Sequence, residues 1–140
     1  MSMLLAIRFE SGFLNVEVMG KFSLKEAKRT FVEILEAVAR HKSKRVFIDG
    51  RKLVGKPETM ERFYYGEFAA HTVKDFAQQG VSSSTQFAYI LKEPVLDPGR
   101  FGETVAVNRG MLVKMFDRPE DALRWLGISP ANKSDAGDGQ

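Results

Sequence analysis

The sequence predicts one α/β domain, in which an N-terminal β-hairpin leads into strand–helix units and a mostly parallel mixed sheet of about five strands. Its 140 residues are 44% hydrophobic and 28% charged, the size and composition of a single globular domain. Alternating apolar residues on both sides of Ser11-Gly12 indicate the hairpin. Beyond it, short apolar runs alternate with stretches of helical periodicity, which favours parallel strands joined by helices.

The first three elements are a strand pair and an amphipathic helix. Residues 4–9 and 13–18 predict the two strands of the hairpin. Ser23-Leu24-Lys25-Glu26 has the pattern of a capping box, in which the serine oxygen accepts a backbone N–H and Glu26 reaches back to the cap. Apolar residues recur behind it at helical spacing, so the sequence predicts a helix over about 23–41.

The remaining chain predicts three strand–helix units. Gly66 lies inside the second of these helices, where glycine costs about 1 kcal/mol relative to alanine, so we expect a close backbone approach or a bend. Asp97 and Pro98 predict the cap and first position of the next helix. The expected segments are a strand over 45–50, a loop over 51–57, a helix from Pro57 to about Gln79, a strand over 86–91, a helix from 97 to about 108, a strand over 111–116 and a helix over 117–126.

Composition indicates the extent of the domain and the cellular compartment of the protein. The sequence has no cysteine and no apolar run near the roughly 20 residues of a membrane span, so we expect a cytoplasmic protein without a membrane segment. Residues 1–129 form the expected domain. Residues 130–140 hold no large apolar side chain and predict a disordered C-terminal tail.

Charge argues against nucleic acid as a partner. Lys and Arg number 21 against 18 Asp and Glu, a net charge of +3. Basic residues are mostly interleaved with acidic ones, as over residues 25–29, whereas nucleic-acid-binding proteins concentrate basic charge on one face. We therefore expect no nucleic-acid partner.

The segment from Gly50 to Lys56 comes nearest to a known ligand-binding motif. It follows a predicted buried strand and matches the Gly-x-x-x-x-Gly-Lys of a phosphate-binding P-loop. Pro57 stands where a Ser or Thr should bind magnesium, and it lacks a backbone N–H, so nucleotide hydrolysis is not expected. Two interpretations remain open. The segment is a turn with solvated side chains, or its amides, with Arg51, Lys52 and Lys56, hold a phosphate or carboxylate.

Other polar residues have both a structural and a functional interpretation. Asp49 ends the central strand, beside the crevice where open α/β sheets bind ligands, but we favour pairing with a neighbouring Arg or Lys or capping of the next segment. Arg100, Asn108 and Arg109 either line the same crevice or are solvated helix residues, with Arg100 paired to Glu103.

Histidines and aromatic residues complete the set of candidates. His41 and His71 have no partners at metal-ligand spacing, so no metal or cofactor is expected, and His71 is expected to be a partly buried helix residue. The second predicted helix carries more rings than one buried stripe needs, so some must face a cavity, a partner or solvent. These rings are Phe63, Tyr64, Tyr65, Phe68 and Phe76.

The pattern over about residues 4–127 resembles a divergent bacterial branch of the STAS-like domains, which are similar to sporulation anti-sigma-factor antagonists. The segments that carry the resemblance, besides the hairpin and the capped helix, are Val46-Phe47-Ile48-Asp49-Gly50-Arg51, Met60 to Glu67 and Arg100 to Gly110. The resemblance implies helices packed mainly on one side of the sheet. It also implies a small intracellular regulatory or ligand-binding module without catalysis.

The best-understood STAS domains are switched by phosphorylation. The resemblance places the modified serine in an Asp-Ser pair at the start of the helix after the central strand, where a kinase partner modifies it. This sequence has Lys56-Pro57-Glu58-Thr59 there and no Asp-Ser pair. Thr59 is the nearest hydroxyl, and it is the candidate phosphorylation site.

Two functions from different classes follow. The leading hypothesis is a non-enzymatic regulatory module that binds a protein partner, such as a kinase or an anti-sigma-type regulator, and that also forms a homodimer. The alternative is a module for a small anionic or lipid-like ligand, held by the Gly50–Thr59 loop, the aromatic helix and residues 100–109. An enzyme is not favoured, because no nucleophile–base pair or metal set is evident.

Overall fold

The computed structural model describes residues 2–129, so the predicted tail, 130–140, lies outside the described residues. The order of strands and helices agrees with the prediction, and a short 3-10 helix over Phe76–Gln79 follows the second helix. The elements are β1 (Leu4–Glu10), β2 (Phe13–Lys21), α1 (Leu24–His41), β3 (Arg45–Val54), α2 (Thr59–Asp75), β4 (Gln86–Ile90), α3 (Phe101–Asn108), β5 (Leu112–Phe116) and α4 (Pro119–Leu126).

The five strands form one mixed sheet in chain order, β1-β2-β3-β4-β5. The β1–β2 hairpin is antiparallel, and the other three pairings are parallel. Each parallel strand is added next to the preceding one, always in the same direction across the sheet. Right-handed crossovers therefore place α1, α2 and α3 on one face of the sheet. α4 follows the last strand and is free of this constraint, and it packs on the opposite face. The predicted α/β class with helices mainly on one face is confirmed.

Two cores lie on the two sides of the sheet. The larger core lies between the sheet and helices α1–α3, on the side of the sheet that we call the crossover face. The smaller core lies beneath α4, on the side that we call the α4 face. In β3, Val46 and Ile48 point to the crossover face and Phe47 to the α4 face, all three at most 1% exposed. Burial on both faces explains why this strand reads as a continuous apolar run.

The start of α1 is only partly as predicted. Ser23 is the N-cap, and its Oγ accepts a hydrogen bond from Glu26 N at 3.2 Å. The Glu26 carboxylate does not reach back to the cap. It accepts from Met3 N at 3.3 Å and from Arg29 at 2.8 Å, and the Arg29 hydrogen bond lowers the pKa of Glu26. The carboxylate therefore ties the N-terminal segment to α1.

The prediction of a loop over 51–57 is wrong, because β3 continues to Val54. β2 is longer than expected and reaches Lys21, which gives residues 52–54 of β3 a parallel partner. The register shifts between Glu17 and Met19. The connection before α2 is therefore only 55–58, and the Gly50–Thr59 segment is not a single loop.

α3 also begins later than predicted, at Phe101. Asp97 caps it from a preceding turn, since its Oδ1 accepts from Gly99 N at 3.1 Å and its Oδ2 from Phe101 N at 2.9 Å. Pro98 lies in that turn, outside the helix. The hydrogen bond from Phe101 N is the main cause that lowers the pKa of Asp97. The capping role of Asp97 is confirmed, at a different position relative to the helix.

α2 and α3 approach each other backbone to backbone. A Cβ placed on Gly66 would lie 2.5 Å from the carbonyl oxygen of Gly102, and one on Gly102 would lie 3.1 Å from that of Arg62. The expected close approach at Gly66 is confirmed. None of the helices within residues 2–129 combines the length and apolar character needed to cross a membrane.

Candidate functional site

The polar residues over 49–52 form ion pairs within β3 and with β2. Asp49 lies in the middle of β3, so the expectation that it ends the central strand is wrong. Arg51 donates from Nε to Asp49 Oδ1 at 3.0 Å and from Nη2 to Oδ2 at 2.8 Å, and its backbone N–H also donates to Oδ1. This carboxylate raises the pKa of the Arg51 guanidinium. Lys52 Nζ lies 3.1 Å from Glu17 Oε2. The favoured interpretation of Asp49, pairing with a neighbouring base, agrees with this geometry.

The basic cradle predicted over 50–56 does not assemble around one point. Residues 52–54 are paired with β2, so their backbone belongs to the sheet. Lys56 is exposed in the short connection that follows. Glu58 is the N-cap of α2, and its backbone N–H donates to Glu61 Oε1 at 2.9 Å. Thr59, the first residue of α2, is exposed.

Arg100 and Glu103 bind the backbone of the edge strand β5. Arg100 Nη1 donates to the Met115 carbonyl at 2.7 Å, and Met115 N donates to Glu103 Oε1 at 2.8 Å. These side chains satisfy both polar groups of Met115 where a sixth strand would otherwise pair. The expectation of a solvated Arg100–Glu103 pair is therefore wrong, since both side chains turn from α3 onto the sheet.

The other two candidates of this segment lie on the outer surface. Asn108 is exposed at the end of α3. Arg109 places its guanidinium 5.6 Å from the centre of the Phe63 ring, and its Nη2 lies 3.4 Å from Glu67 Oε2. The structure thus separates the predicted site residues into the Asp49–Lys52 group, exposed Lys56, the Arg100 side chain and the outer end of α3.

The rings of α2 divide between the interior and the surface. Tyr65 points inward, and its hydroxyl lies 2.6 Å from that of Tyr89 on β4. Phe63 points outward, with its ring centre 5.5 Å from Tyr64 and 6.3 Å from Phe101 of α3. The rings of α2 that exceed one buried stripe therefore divide between the two environments, with Tyr65 inside and Phe63 and Tyr64 at the surface.

The outward rings belong to a contiguous apolar surface, which we define as Met60, Phe63, Tyr64 and Phe101. Met60 precedes Phe63 and Tyr64 by three and four residues, so it neighbours them on the helix surface. Met60 is 52% exposed, Tyr64 45% and Phe101 38%. Arg109 borders this apolar surface at Phe63, and Thr59 adjoins Met60 in sequence.

A cavity of about 110 Å³ lies between the crossover face and helices α1–α3. Gly50 and Leu53 of β3, Leu91 after β4 and Met115 of β5 contribute to its walls, so it is situated toward the carboxyl ends of three parallel strands. Open α/β sheets bind ligands at this end. Among the predicted site residues, Arg100 lines the cavity; Asp49, Arg51, Lys52, Lys56, Asn108 and Arg109 do not.

Two tyrosines of the cavity wall were not predicted as site residues. Burial raises the pKa of Tyr65 to about 12, while its hydrogen bond with Tyr89 acts in the opposite direction. Burial also raises the pKa of Tyr89. Both phenols are therefore neutral at neutral pH. The ring-rich pattern of α2 was the signal for Tyr65, but the apolar strand pattern around Tyr89 contained none.

The histidines lie away from this cavity. His41 stacks on Phe9 with ring centres 4.7 Å apart. The side chain of His71 is 74% exposed and lies 3.7 Å from Asp75, so its predicted partial burial is wrong. Across residues 2–129, no three His, Asp or Glu side chains gather in a group that could hold a metal ion.

Comparison with known proteins identifies the fold. An anti-sigma factor antagonist from Mycobacterium paratuberculosis has a solved structure that matches this chain with a TM-score of 0.61 and 14% identity, over 90% of this chain and 95% of that one. An uncharacterised Shewanella loihica protein with a SpoIIAA-like fold matches with a TM-score of 0.48 and 16% identity, over 89% of this chain and 93% of that one. No family model and no curated protein sequence matches the chain. The predicted STAS-like fold is confirmed.

Proposed function

We propose that this chain, which has the fold of an anti-sigma factor antagonist, is a non-catalytic regulatory module that binds a protein partner in the cytoplasm. The solved protein that shares the fold is named for an action on another regulatory protein. A kinase or an anti-sigma-type regulator is the corresponding kind of partner for this chain. The apolar surface of α2 and α3 is the observation that carries the proposal.

The apolar surface has the properties of a protein-binding site. Its three most exposed members are large side chains in the first two turns of α2 and at the start of α3, and Phe63 connects Tyr64 to Phe101 through ring contacts. Contiguous exposed apolar patches with polar rims mark interaction sites. Aromatic residues, Met and Arg are enriched at such interfaces, and Arg109 supplies the arginine at the rim. A second copy of the chain is the other occupant we propose to test.

Thr59 is the proposed regulatory residue of this surface. It is exposed at the first position of α2 and precedes Met60 directly. A phosphate there would add about two negative charges next to apolar side chains that a partner must desolvate. The helix start would favour the phosphate locally, so the modification would weaken the contact without unfolding α2.

A photo-crosslinking amino acid placed at Tyr64 tests the proposed docking surface in the source cells. We expect a discrete crosslinked protein from position 64, and the same protein when the crosslinker replaces Met60. The control position is Leu112, an apolar side chain of β5 that is 44% exposed and lies outside the apolar surface. A crosslinking pattern that is identical at positions 64 and 112, or absent at 64, would contradict the proposal.

The solution mass of the purified protein separates a heterologous partner from a homodimer. A homodimer through the apolar surface predicts a mass twice that of the chain, and Tyr64→Ser should return it to the monomer. A monomer mass independent of concentration removes the homodimer and leaves the heterologous partner. Leu112→Ser serves as the matched control, since it removes a similarly exposed apolar side chain elsewhere.

The cavity favours a second candidate function, the binding of a small ligand. The three segments that the sequence predicted to hold a ligand all contribute to its wall. Gly50 and Leu53 come from the first segment, Tyr65 from the aromatic helix and Arg100 from residues 100–109. The other basic candidates are absent from its walls. A ligand site at this position is therefore largely apolar, and Arg100 is its predicted polar contact.

A further inference from the structure

We propose that the cavity binds a compact, neutral and largely apolar molecule that carries one hydrogen-bond acceptor oxygen, such as a cyclic ketone. The hydrogen-bond donors are Arg100 Nε and a hydroxyl of the Tyr65–Tyr89 pair. This inference rests on the second candidate function, a ligand site in this cavity. It is independent of the protein-docking proposal, because the cavity lies between the sheet and the helices and the apolar surface lies on the outer side of α2 and α3.

Cavity size limits the ligand to about one ring. The volume is about 110 Å³. An engineered protein cavity of about 150 Å³ lined by aliphatic and aromatic side chains binds benzene. Most of the wall here is aliphatic, as at Ile34, Leu53, Ala69, Leu91 and Val95. A six-membered ring with a single polar substituent is a suitable size and polarity.

Arg100 presents a buried donor that the protein leaves unsatisfied. Its Nη1 binds the Met115 carbonyl, but its Nε is buried and has no hydrogen-bond partner within residues 2–129. Buried N–H groups are nearly always paired, and an unpaired one is costly. Because Arg100 lines the cavity, a ligand oxygen there would supply the missing acceptor.

The two tyrosines provide a second donor by simple counting. Each phenol has one proton, and the 2.6 Å contact between the hydroxyls uses only one of the two. The described residues offer the other proton no acceptor, and both tyrosines line the cavity. The raised pKa values of these phenols keep both protons in place at neutral pH. Two donor protons at the wall therefore have no acceptor, which favours a ligand that carries one.

Charge at the wall favours a neutral acceptor over an anion. Glu61, Asp97 and Glu103 line the cavity together with Arg62 and Arg100, so acidic groups outnumber basic ones. Each of these carboxylates already accepts a backbone N–H. Arg62 binds the carbonyls of residues 94 and 95. A carboxylate ligand would add another negative charge to this group, whereas a ketone would not.

A ligand titration monitored by methyl NMR tests the proposal. The probes are cyclohexanone, its isostere methylenecyclohexane, which lacks the acceptor, and cyclohexanecarboxylate. Cyclohexanone should shift the methyl signals of Leu53, Leu91 and Met111 on the cavity wall and leave Leu123 and Leu126 beneath α4 unchanged. We expect it to bind about tenfold more tightly than methylenecyclohexane, the scale of one hydrogen bond to an otherwise unpaired buried donor.

Variants separate the donor from the cavity. Arg100→Lys removes Nε and should weaken cyclohexanone binding about tenfold, while Arg118→Lys, outside the wall, should leave it unchanged. Ala69→Val fills part of the cavity and should abolish binding even if the Arg100 variant fails to fold. Equal binding of ketone and isostere would overturn the acceptor, and tighter binding of the carboxylate would overturn neutrality. Absence of methyl shifts with all three probes would overturn the site itself.

Discussion

Arg100 connects the turn at Asp97, the edge strand at Met115 and the wall of the cavity. Its φ of 55° lies in the left-handed region, which non-glycine residues seldom adopt. The Asp97 turn holds this backbone, because Arg100 N donates to the Asp97 carbonyl at 2.9 Å and Phe101 N to its side chain. The side chain can therefore cross from the cavity wall to the Met115 carbonyl. The sequence predicted Arg100 as a ligand contact, but not the turn that aims it.

Replacing Asp97 should destabilise the fold through the start of α3. Asp97→Ala removes the acceptor for Gly99 N and Phe101 N and should lower the free energy of unfolding by about 1 kcal/mol, as for other lost helix caps. Asp97→Asn keeps one of the two acceptor oxygens, so its unfolding free energy should fall by less than that of Asp97→Ala. Urea unfolding measures both variants.

The Asp97 contribution should also depend on pH. Its pKa is lowered in the folded state, so the contribution is present above the unfolded pKa, about 3.9, and is lost as pH falls through the folded value. The difference in unfolding free energy between wild type and Asp97→Ala should therefore shrink in acid. A difference that stays constant down to the folded pKa would contradict the assigned role of the carboxylate.

A charge at Thr59 should weaken docking at the apolar surface. Thr59→Glu is expected to reduce the crosslink yield from position 64 about tenfold, which corresponds to about 1.4 kcal/mol. Thr59→Gln matches the size without the charge and should retain the wild-type yield. Equal yields from the two variants would remove the proposed phosphorylation switch, while the docking proposal would remain.

At the scale of elements, the contact between α2 and α3 sets the geometry of both proposed sites. Gly66 and Gly102 allow the two helix backbones to approach closely, which brings Phe63 next to Phe101 outside and places Arg100 and Tyr65 on the wall of the same cavity. The sequence pattern placed Gly66 inside a helix, where glycine is unfavourable, and so predicted a close backbone approach or a bend. It could not identify Gly102 as the partner, because that contact joins segments more than thirty residues apart.

Gly66→Ala should destabilise the protein although alanine favours helix. The new Cβ would meet the Gly102 carbonyl oxygen at 2.5 Å, and such overpacking costs typically 1–3 kcal/mol, more than the roughly 1 kcal/mol gained in helix propensity. Gly102→Ala, with its nearest contact at 3.1 Å, should cost less. Thermal unfolding of the two variants gives the ranking, and a stabilised Gly66→Ala would contradict the tight contact.

For the whole molecule, the sequence predicted the order of elements, the N-terminal hairpin and a mostly parallel sheet, because these depend on local periodicity and on general rules of connection. The extension of β3 to Val54 depended on the length of β2, a neighbour in space that local pattern does not report. The cavity depended on walls from three helices and the sheet. For that reason Tyr89 and Leu53 could not be recognised as site residues from their own segments.

The tyrosine pair should make the whole fold sensitive to alkali. The folded pKa of Tyr65 is about 12 against an ordinary value of 10.0, and that of Tyr89 is also raised. The neutral phenols contribute full stability below the unfolded pKa, and this contribution is lost as pH rises through the folded values. The free energy of unfolding should therefore decline above pH 10, and the double variant Tyr65→Phe/Tyr89→Phe should show a flatter profile. Parallel profiles would contradict the buried, neutral pair.

The strand order has a consequence for how the chain reaches its fold. Every strand of the sheet pairs with its predecessor in the chain, so no pairing waits for a segment that is synthesised much later. Each strand after the hairpin closes a loop that contains one α-helix, which keeps the entropy cost of these steps similar. The hairpin, α1 and β3 can thus assemble as they leave the ribosome and serve as a template edge for β4 and then β5. The strand order thus permits the sheet to grow from one edge to the other in the order of translation.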